Sequence, residues 1–230
     1  PIGVTFTRFK RLVRDLGTEL GKDVVLITDG GDTELDKTVI DQLNDPLVHL
    51  VRNSIGHGIE APEIRSAAGK PRRGRITLSA NHTGAIVILT IADDGAGLDK
   101  ERIHAKAVAK GLITAQAELS ERDLLHLIFE PGFTTEEEVS SVSGRGVGMD
   151  VVRQAVDVLR GSIEVRSEIG QGTAFAITLP LTLAIIDGLL IDSASENYIL
   201  PLSAVEECIE LTRDDTEQSH GRNLIKVRGE

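Results

Sequence analysis

Apolar residues recur at regular spacings along most of the chain, and several stretches show the period of a helix. Phe6, Phe9, Val13 and Leu16 follow three- and four-residue steps, which predicts an amphipathic helix that ends near Gly17 or Gly21. Helical spacing and capping residues predict five more helices, over residues 38–56, 62–68, 99–110, 120–129 and 148–160.

Short β-branched or alternating runs predict strands between these helices. The first is residues 24–28, and residues 76–80 and 85–92 form a hairpin whose turn we expect at residues 81–84. Two further antiparallel strands, around residues 163–165 and 175–179, close a first unit near Pro180. After that only strands are predicted, at residues 181–192, 198–200 and 224–227, which indicates a second, incomplete all-β unit.

Composition narrows the class of protein. Of 230 residues, 40% are hydrophobic and 27% charged, which is typical of a globular chain. The net charge of −11 disfavours a nucleic-acid partner, because non-specific binding of nucleic acid needs a basic surface. No apolar run approaches the roughly 18 residues of a membrane span, so we expect no membrane insertion.

The single cysteine, Cys208, cannot form an intrachain disulfide, so we expect a reducing, cytoplasmic compartment. The chain begins at Pro1 without a methionine, and we interpret it as a fragment of a longer protein.

Two polar segments adjoin predicted strands. Residues 93–97 read Asp-Asp-Gly-Ala-Gly, so Asp93 at the strand end can accept a hydrogen bond from an exocyclic amine, and Gly95 and Gly97 let the backbone approach a ligand. Residues 170–173 read Gly-Gln-Gly-Thr and would place the Thr173 hydroxyl near such a base. Taken singly, a polar turn and a hairpin turn are the simpler interpretations of these two segments.

A glycine-rich segment, Gly-Arg-Gly-Val-Gly at residues 144–148, opens a predicted helix. Exposed backbone N–H groups and the positive helix end favour an anion site there, and Arg145 adds a cation suited to phosphate. The segment lacks the Gly-Lys-Ser/Thr ending of a Walker A loop and does not follow a strand as a dinucleotide-binding loop does. It ends a Gly- and Ser-rich stretch, residues 130–147, that predicts a long mobile loop, and a flexible linker remains an alternative.

The predicted helix over residues 38–56 carries His49 and Asn53 four residues apart, hence on one face, with His57 a further four residues on. An imidazole can take or steer a proton near neutral pH. An amide oxygen is a hard ligand suited to Mg²⁺. A solvated helix face would show the same residues.

Taken in order, these features resemble the ATP-binding domain of the histidine-kinase, gyrase, Hsp90 and MutL superfamily and, within it, the CheA family of chemotaxis histidine kinases. Residues 45–54 are similar to the family's N box and residues 129–135 to its F box. Residues 142–152 resemble its glycine-rich lid, and residues 179–186 resemble the junction between its kinase and regulatory domains. The resemblance covers essentially the whole chain.

The resemblance implies an α+β fold, a two-layer α/β sandwich of the Bergerat type with a mixed, mostly antiparallel sheet and helices on one face. It implies an ATP-binding catalytic domain over residues 1–180. Residues 181–230 would be the N-terminal part of an SH3-like regulatory domain that docks a CheW-like coupling protein and chemoreceptors, in the cytoplasm and in receptor clusters.

The resemblance also implies ATP and Mg²⁺ as cofactors and a role for each site residue. Asp93 would bind the adenine amine with Thr173 nearby, and Asn53 would hold Mg²⁺ between the phosphates. The catalytic candidates are His49, which would orient groups or accept a proton near the γ-phosphate, and His57. The other nucleotide contacts would be Gly95, Gly97, Lys110, Ser143, Gly144, Arg145, Gly146, Val147, Gly148 and Met149.

The implied reaction is transfer of the γ-phosphoryl group of ATP to a histidine on a separate phosphotransfer domain, with response regulators served indirectly. The chain departs from the family pattern at Gly56, where the family usually has aspartate. Gly56 leaves open a kinase with altered Mg²⁺ dependence or a weakened nucleotide binder. The alternatives to a kinase are a gyrase- or MutL-like ATPase and a non-catalytic scaffold in a receptor array.

Overall fold

The computed structural model describes residues 1–133, 148–181, 188–193 and 196–201, together with Val205. Contacts between Cα atoms divide the chain into two compact units, Pro1–Leu183 and Ala184–Glu230. The strand predicted at residues 224–227 and all but the start of the loop predicted at residues 130–147 lie outside the described residues.

A five-stranded sheet forms the centre of the first unit, with its strands in the order β1-β2-β3-β5-β4. β1 and β2 run parallel, and the other three neighbouring pairs are antiparallel. The mixed, mostly antiparallel sheet that we expected is therefore confirmed. The strands are β1 (Val24–Asp29), β2 (Gly74–Thr83), β3 (Ile86–Asp93), β4 (Ser162–Glu168) and β5 (Gly172–Pro180).

Helices cover one face of this sheet. Alternate residues of β3 are buried, including Val87, Leu89 and Ile91, whereas the residues between them are partly exposed. One apolar face of the sheet thus packs on helices, which confirms the two-layer α+β sandwich. The α-helices of the described residues are α1 (Gly3–Glu19), α2 (Lys37–Asn53), α3 (Pro62–Ala67), α4 (Lys100–Ala109), α5 (Glu121–His126) and α6 (Met149–Val158).

The helix starts follow the sequence signals. The Asp99 side chain accepts a hydrogen bond from the backbone N–H of Arg102 at 3.0 Å and so caps α4. Ser120 accepts one from the N–H of Asp123 at 3.1 Å and caps α5. Both predicted N-caps are confirmed, and each satisfies a backbone donor that the first helical turn leaves without an intrahelical partner.

Two of the differences from the predicted element boundaries have a clear physical cause. The β2–β3 turn lies at residues 84–85 rather than 81–84, because the polar end of β2 stays paired with β3 as far as Thr83 opposite Ile86. The helix predicted over residues 38–56 is α-helical only to Asn53 and continues as a π-helical turn (Ser54–Gly58). In that turn the N–H of Ile59 donates to the carbonyl of Ser54 at 2.7 Å, five residues back. Glycines at positions 56 and 58 weaken the preference for an α-helix at this point.

The second unit contains an antiparallel hairpin of β6 (Gly188–Ser193) and β7 (Glu196–Pro201). The strand predicted at residues 198–200 lies in β7, and the one predicted at residues 181–192 is described as a strand from Gly188 onward. Within the described ranges, no helix combines the length and the apolar character needed to cross a membrane.

Candidate functional site

Three buried polar side chains lie next to one another where three strands of the sheet come together. Asp93 ends β3 and is paired with Thr173 of β5, which is in turn paired with Ser167 of β4. They are 8%, 6% and 8% exposed, respectively. Burying a polar group costs free energy unless the group has a hydrogen-bond partner. We call these three residues the polar row, and a concentration of this kind marks a candidate ligand site.

The Asp93 carboxylate is held by backbone donors on one oxygen. Its Oδ1 accepts hydrogen bonds from the N–H groups of Gly95 at 3.0 Å and Thr173 at 3.3 Å. Burial raises the pKa of Asp93 above its usual value, and the backbone hydrogen bonds from Gly95 and Thr173 offset part of that rise. The other oxygen, Oδ2, receives neither of these backbone donors, and a Cβ on Gly58 would stand 3.0 Å from Oδ2 and 3.1 Å from Oδ1. Asp93 can therefore offer Oδ2 as an acceptor to a ligand.

Ser167 connects the polar row to the turn after β3. Its Oγ accepts from the N–H of Leu98 at 2.8 Å, donates to the carbonyl of Gly172 at 3.0 Å and lies 2.9 Å from the hydroxyl of Thr173. Because the one Ser167 hydrogen goes to Gly172, Thr173 donates to Ser167 and keeps its own lone pairs. Thr173 can thus accept a further hydrogen bond.

Two glycines bring separate backbone segments together around Asp93. A Cβ on Gly95 would collide with the carbonyl of Gly58, and a Cβ on Gly97, whose φ is +77°, would collide with the carbonyl of Glu168. The N–H of Ala96 between them donates to the Gly58 carbonyl at 2.9 Å. The π-helical turn and the β4–β5 hairpin are therefore both packed against residues 95–97, and the positive φ of Gly97 favours glycine there.

A second group of candidate residues lies on α2 and α6. The Asn53 amide nitrogen donates to Nε2 of His49 at 3.0 Å and to Sδ of Met149 at 3.2 Å. Both amide hydrogens are then engaged, which leaves the amide oxygen as the atom that can face a cation. Nε2 of His49 acts as an acceptor, so the neutral ring carries its proton on Nδ1.

The charge state of His49 agrees with this hydrogen bond. Burial lowers the pKa of His49, and the charges of Arg52 and His57 lower it further, while Asp150 raises it. A lowered pKa keeps the imidazole neutral at physiological pH. The pair of His49 and Asn53 can therefore supply uncharged hydrogen-bonding groups and one hard oxygen ligand.

The remaining predicted residues are spread around these two groups. His57 is exposed on the π-helical turn, and Lys110, just after α4, donates to the carbonyl of Gly132 at 2.6 Å. Gly148 is the N-cap of α6 and Met149 its first residue. The structure thus brings Asp93 together with Gly95 and Thr173, and brings His49 together with Asn53 and Met149. Ser143, Gly144, Arg145, Gly146 and Val147 lie outside the described residues.

An open cavity of about 1010 Å³ borders the polar row. It extends past Leu125 toward the charged side chains of Lys100 and Arg122. The residues that line it include neither His49 nor Asn53, so the two groups of candidate residues are joined through the backbone of the π-helical turn rather than through this cavity. The cavity is large enough for a nucleotide-sized ligand.

A family comparison identifies the fold. The family described as "Histidine kinase-, DNA gyrase B-, and HSP90-like ATPase" matches residues 42–183, which include both groups of candidate residues. The chain belongs to this ATPase family. The match confirms the predicted ATP-binding domain and the superfamily to which the motifs pointed.

Relatives of this ATPase domain narrow the comparison. It is 48% identical to "Chemotaxis protein CheA" of Bacillus subtilis over 231 residues, covering 100% of this chain and 34% of the relative. It is 46% identical to "Sensor histidine kinase CheAY" of Helicobacter pylori, covering 100% and 29%, and 45% identical to "Chemotaxis protein CheA" of Treponema pallidum, covering 100% and 28%. The chain spans about a third of the length of the curated relatives that it matches. The resemblance to the CheA family is confirmed.

Several residues of this ATPase domain's site were not predicted. Ser167 could have been found, because its position alternates with buried Ile163 and Val165 on β4. The π-helical turn is fixed by Lys22, whose Nζ donates to the carbonyls of Ile55 at 2.7 Å and Gly56 at 2.6 Å. Nothing in the sequence links Lys22 to a segment more than 30 residues away. The same holds for Glu60, Arg65 and Lys70, which lie behind the turn that follows Asp93.

Proposed function

We propose that the chain is the ATP-binding domain of a chemotaxis-type protein-histidine kinase. It would bind ATP and transfer the γ-phosphoryl group to a histidine on a separate phosphotransfer domain. The relatives named chemotaxis protein CheA and sensor histidine kinase CheAY, similar over the whole chain, support this proposal.

The observation that carries the proposal is the buried polar row. Asp93 keeps two backbone donors on Oδ1 and offers Oδ2, which suits the exocyclic amine of adenine. Thr173 keeps lone pairs that could accept a further hydrogen bond, from the base or through water. A base that presents a carbonyl where adenine presents its amine would bring two acceptors together, so the row should select adenine.

Asn53 is our candidate ligand for Mg²⁺. Mg²⁺ usually keeps several waters and takes few protein oxygens besides those of substrate phosphates. The residues fit, because the Asn53 nitrogen is engaged by His49 and Met149 and its oxygen remains. Among the described residues, no cluster of three or more His, Cys, Asp or Glu side chains could hold a metal by itself. When bound, Mg²⁺ would neutralise charge on the phosphates.

His49 would orient Asn53 rather than accept a proton. Its Nε2 lone pair already receives the Asn53 amide hydrogen, and its pKa is lowered by burial. His57 and Lys110 remain proposed contacts near the phosphates, as do Gly148 and Met149 at the start of α6. The same proposal extends to residues 143–147, where Arg145 would add a cation next to the positive end of that helix.

In the proposed reaction, a nitrogen of the acceptor imidazole attacks the γ-phosphorus in line with the leaving group. The bond to the β–γ bridging oxygen breaks as the nitrogen–phosphorus bond forms, and ADP leaves. The protein's part is to hold the nucleotide and to balance its charge. The acceptor histidine would lie on another domain.

The proposal includes the organisation of the longer protein. Residues 1–180 would form the catalytic domain, and residues 181–230 would begin a regulatory domain that docks a CheW-like coupling protein and chemoreceptors. Response regulators would receive the phosphoryl group later. The expected location is the cytoplasm, in receptor clusters.

The experiment is transfer of label from γ-labelled ATP. The chain is incubated with Mg²⁺, labelled ATP and an isolated histidine-phosphotransfer domain from the same organism. We expect acid-labile, base-stable label on the acceptor, and at least about tenfold less label with an Asp93→Asn variant at subsaturating ATP. Release of phosphate without label on any acceptor would contradict the kinase and favour an ATPase of the gyrase or MutL kind.

A further inference from the structure

A charged network lies directly behind the turn that follows Asp93. Its centre is Arg65 of α3, which is 0% exposed. Arg65 donates through Nε to the carbonyl of Pro71 at 2.9 Å, and through Nη1 to Glu60 at 2.9 Å and to the carbonyl of Asp94 at 3.0 Å. Its Nη2 lies 3.1 Å from Oδ2 of Asp94. Both hydrogen bonds of Nη1 and the ion pair of Nη2 are directed at Glu60 or at Asp94, the residue next to Asp93.

Lys70 reaches the same turn from the other side. Its Nζ donates to Oε1 of Glu60 at 2.7 Å and to the backbone carbonyls of Asp94 at 3.0 Å and Gly95 at 2.7 Å. Burial raises the pKa of Glu60, but the hydrogen bonds from Lys70 and Arg65 outweigh it and hold the pKa below the usual value. Two cations and two carboxylates therefore balance in what we call the Glu60 network, made of Glu60, Arg65, Lys70 and Asp94.

The network controls one particular peptide group. The carbonyl of Asp94 and the N–H of Gly95 belong to the same planar peptide unit. Arg65 and Lys70 both hold that carbonyl, and the N–H of the same unit donates to Oδ1 of Asp93. Fixing the carbonyl therefore fixes the direction of the donor that orients the Asp93 carboxylate.

A purely structural role explains this arrangement poorly. Buried ion pairs add little net stability compared with packed apolar residues, because removing the charges from water is costly. Here the donors of Arg65 and Lys70 converge on the backbone carbonyls of Asp94 and Gly95 as well as on carboxylates. A binding site gains selectivity when the residues behind it hold its polar groups in a single geometry.

We propose that Glu60, Arg65 and Lys70 are positioning residues that set the preference of Asp93 for an adenine amine. This inference rests on the proposed function, because it assumes that Asp93 binds adenine. None of the three side chains needs to touch the nucleotide. They act by holding the Asp94–Gly95 peptide unit.

The test compares ADP with inosine diphosphate, which replaces the amine by a carbonyl, in calorimetric titrations of the chain. We expect Lys70→Met to weaken ADP binding about tenfold, which is roughly the contribution of one hydrogen bond to binding. The same variant should weaken inosine diphosphate binding much less. The ratio of the two affinities should therefore fall. Lys70→Arg should restore much of the ratio, because it keeps a cation facing the carbonyls.

Arg73→Met is the matched control. Arg73 lies with Lys70 in the basic turn of residues 69–74, but it pairs with Asp23 at 2.8 Å on the surface, and its side chain is 63% exposed. We expect this variant to leave both affinities unchanged. Glu60→Gln offers a second perturbation with little change in volume, should Lys70→Met not fold, and it should lower the ratio in the same direction.

The outcomes separate the two hypotheses. Equal loss of affinity for both nucleotides, or an unchanged ratio in a folded Lys70→Met or Glu60→Gln variant, would overturn the positioning role while leaving the proposed function intact. Absence of ADP binding by the unaltered chain would overturn the proposed function and this inference with it.

Discussion

Replacement of Asp93 by asparagine separates ligand binding from stability at a single position. The substituted side chain would keep its amide oxygen toward the backbone donors of Gly95 and Thr173, which now reach Oδ1 at 3.0 Å and 3.3 Å. Its amide nitrogen would then occupy the place of Oδ2. A donor would thus face the adenine amine where the wild-type protein offers an acceptor.

The two effects of Asp93→Asn have opposite signs. A hydrogen bond to a charged group contributes about 1.5–3 kcal/mol, so we expect ADP affinity to fall between about tenfold and a hundredfold. Burial raises the pKa of Asp93, which means that its ionised form is disfavoured in the folded state. Removing that charge should leave the folded domain at least as stable as wild type at pH 7.

The dependence on pH gives a second, independent signature. The pKa of Asp93 is higher in the folded state than in the unfolded state, where it is about 3.9. The stability that its protonated form contributes is therefore complete below that unfolded pKa and is lost as the pH rises through the folded pKa. Asparagine does not titrate. The stability of the variant relative to wild type should therefore increase from pH 4 to pH 7.

The assays are calorimetric titration with ADP and urea denaturation at a series of pH values. Asp99→Asn is the control, because Asp99 is an exposed N-cap and asparagine caps equally well. It should change neither quantity. Retained ADP affinity in Asp93→Asn would refute the adenine role. A variant that is less stable than wild type by the same amount at both pH values would refute the reasoning from burial.

Three further variants probe the surroundings of the site. Ser167→Ala should lower the free energy of unfolding in urea by about 1–3 kcal/mol, because it leaves the N–H of Leu98 without its acceptor; an unchanged value would contradict this. Gly56→Asp should fold with a stability within about 0.5 kcal/mol of wild type, since a Cβ there meets nothing within 4 Å. In the same variant we expect the rate of phosphotransfer to stay within an order of magnitude, whereas a rise of several orders would favour the scaffold hypothesis. The pKa of His49 is lowered in the folded state, so the stability that its neutral form contributes is complete above pH 6.5, its ordinary pKa, and is lost as the pH falls. His49→Gln should therefore remove this pH dependence from the free energy of unfolding in urea. An unchanged pH dependence would contradict the assignment of a lowered pKa to His49.

The elements of the fold could largely be predicted because they depend on local patterns. The spacing of Phe6, Phe9, Val13 and Leu16 predicted the buried face of α1, and those residues are buried. The turn between β2 and β3 was predicted too early because Asn81 and Gly84 are typical turn residues. Pairing with β3 outweighs that local preference, and the strand continues to Thr83.

The site depends on contacts that no spacing reveals. Asp93 and Thr173 are 80 residues apart and meet only because β3 and β5 are neighbours in the sheet. Their association was expected from the family resemblance rather than from the residues themselves. The Glu60 network went unpredicted, because it requires α3, the basic turn and the end of β3 to converge on one peptide unit. Residues 69–74 read Gly-Lys-Pro-Arg-Arg-Gly, which is typical of a basic turn, but the sequence does not show which groups Lys70 contacts.

The most direct test of the adenine site is a comparison of ADP and inosine diphosphate binding to the unaltered chain. The two nucleotides differ at the position that Oδ2 of Asp93 would read, where an amine is replaced by a carbonyl. We expect ADP to bind at least about tenfold more tightly, as the loss of one charge-assisted hydrogen bond implies. Equal affinities, measured by calorimetry under the same conditions, would contradict the central claim that the buried carboxylate of Asp93 selects adenine.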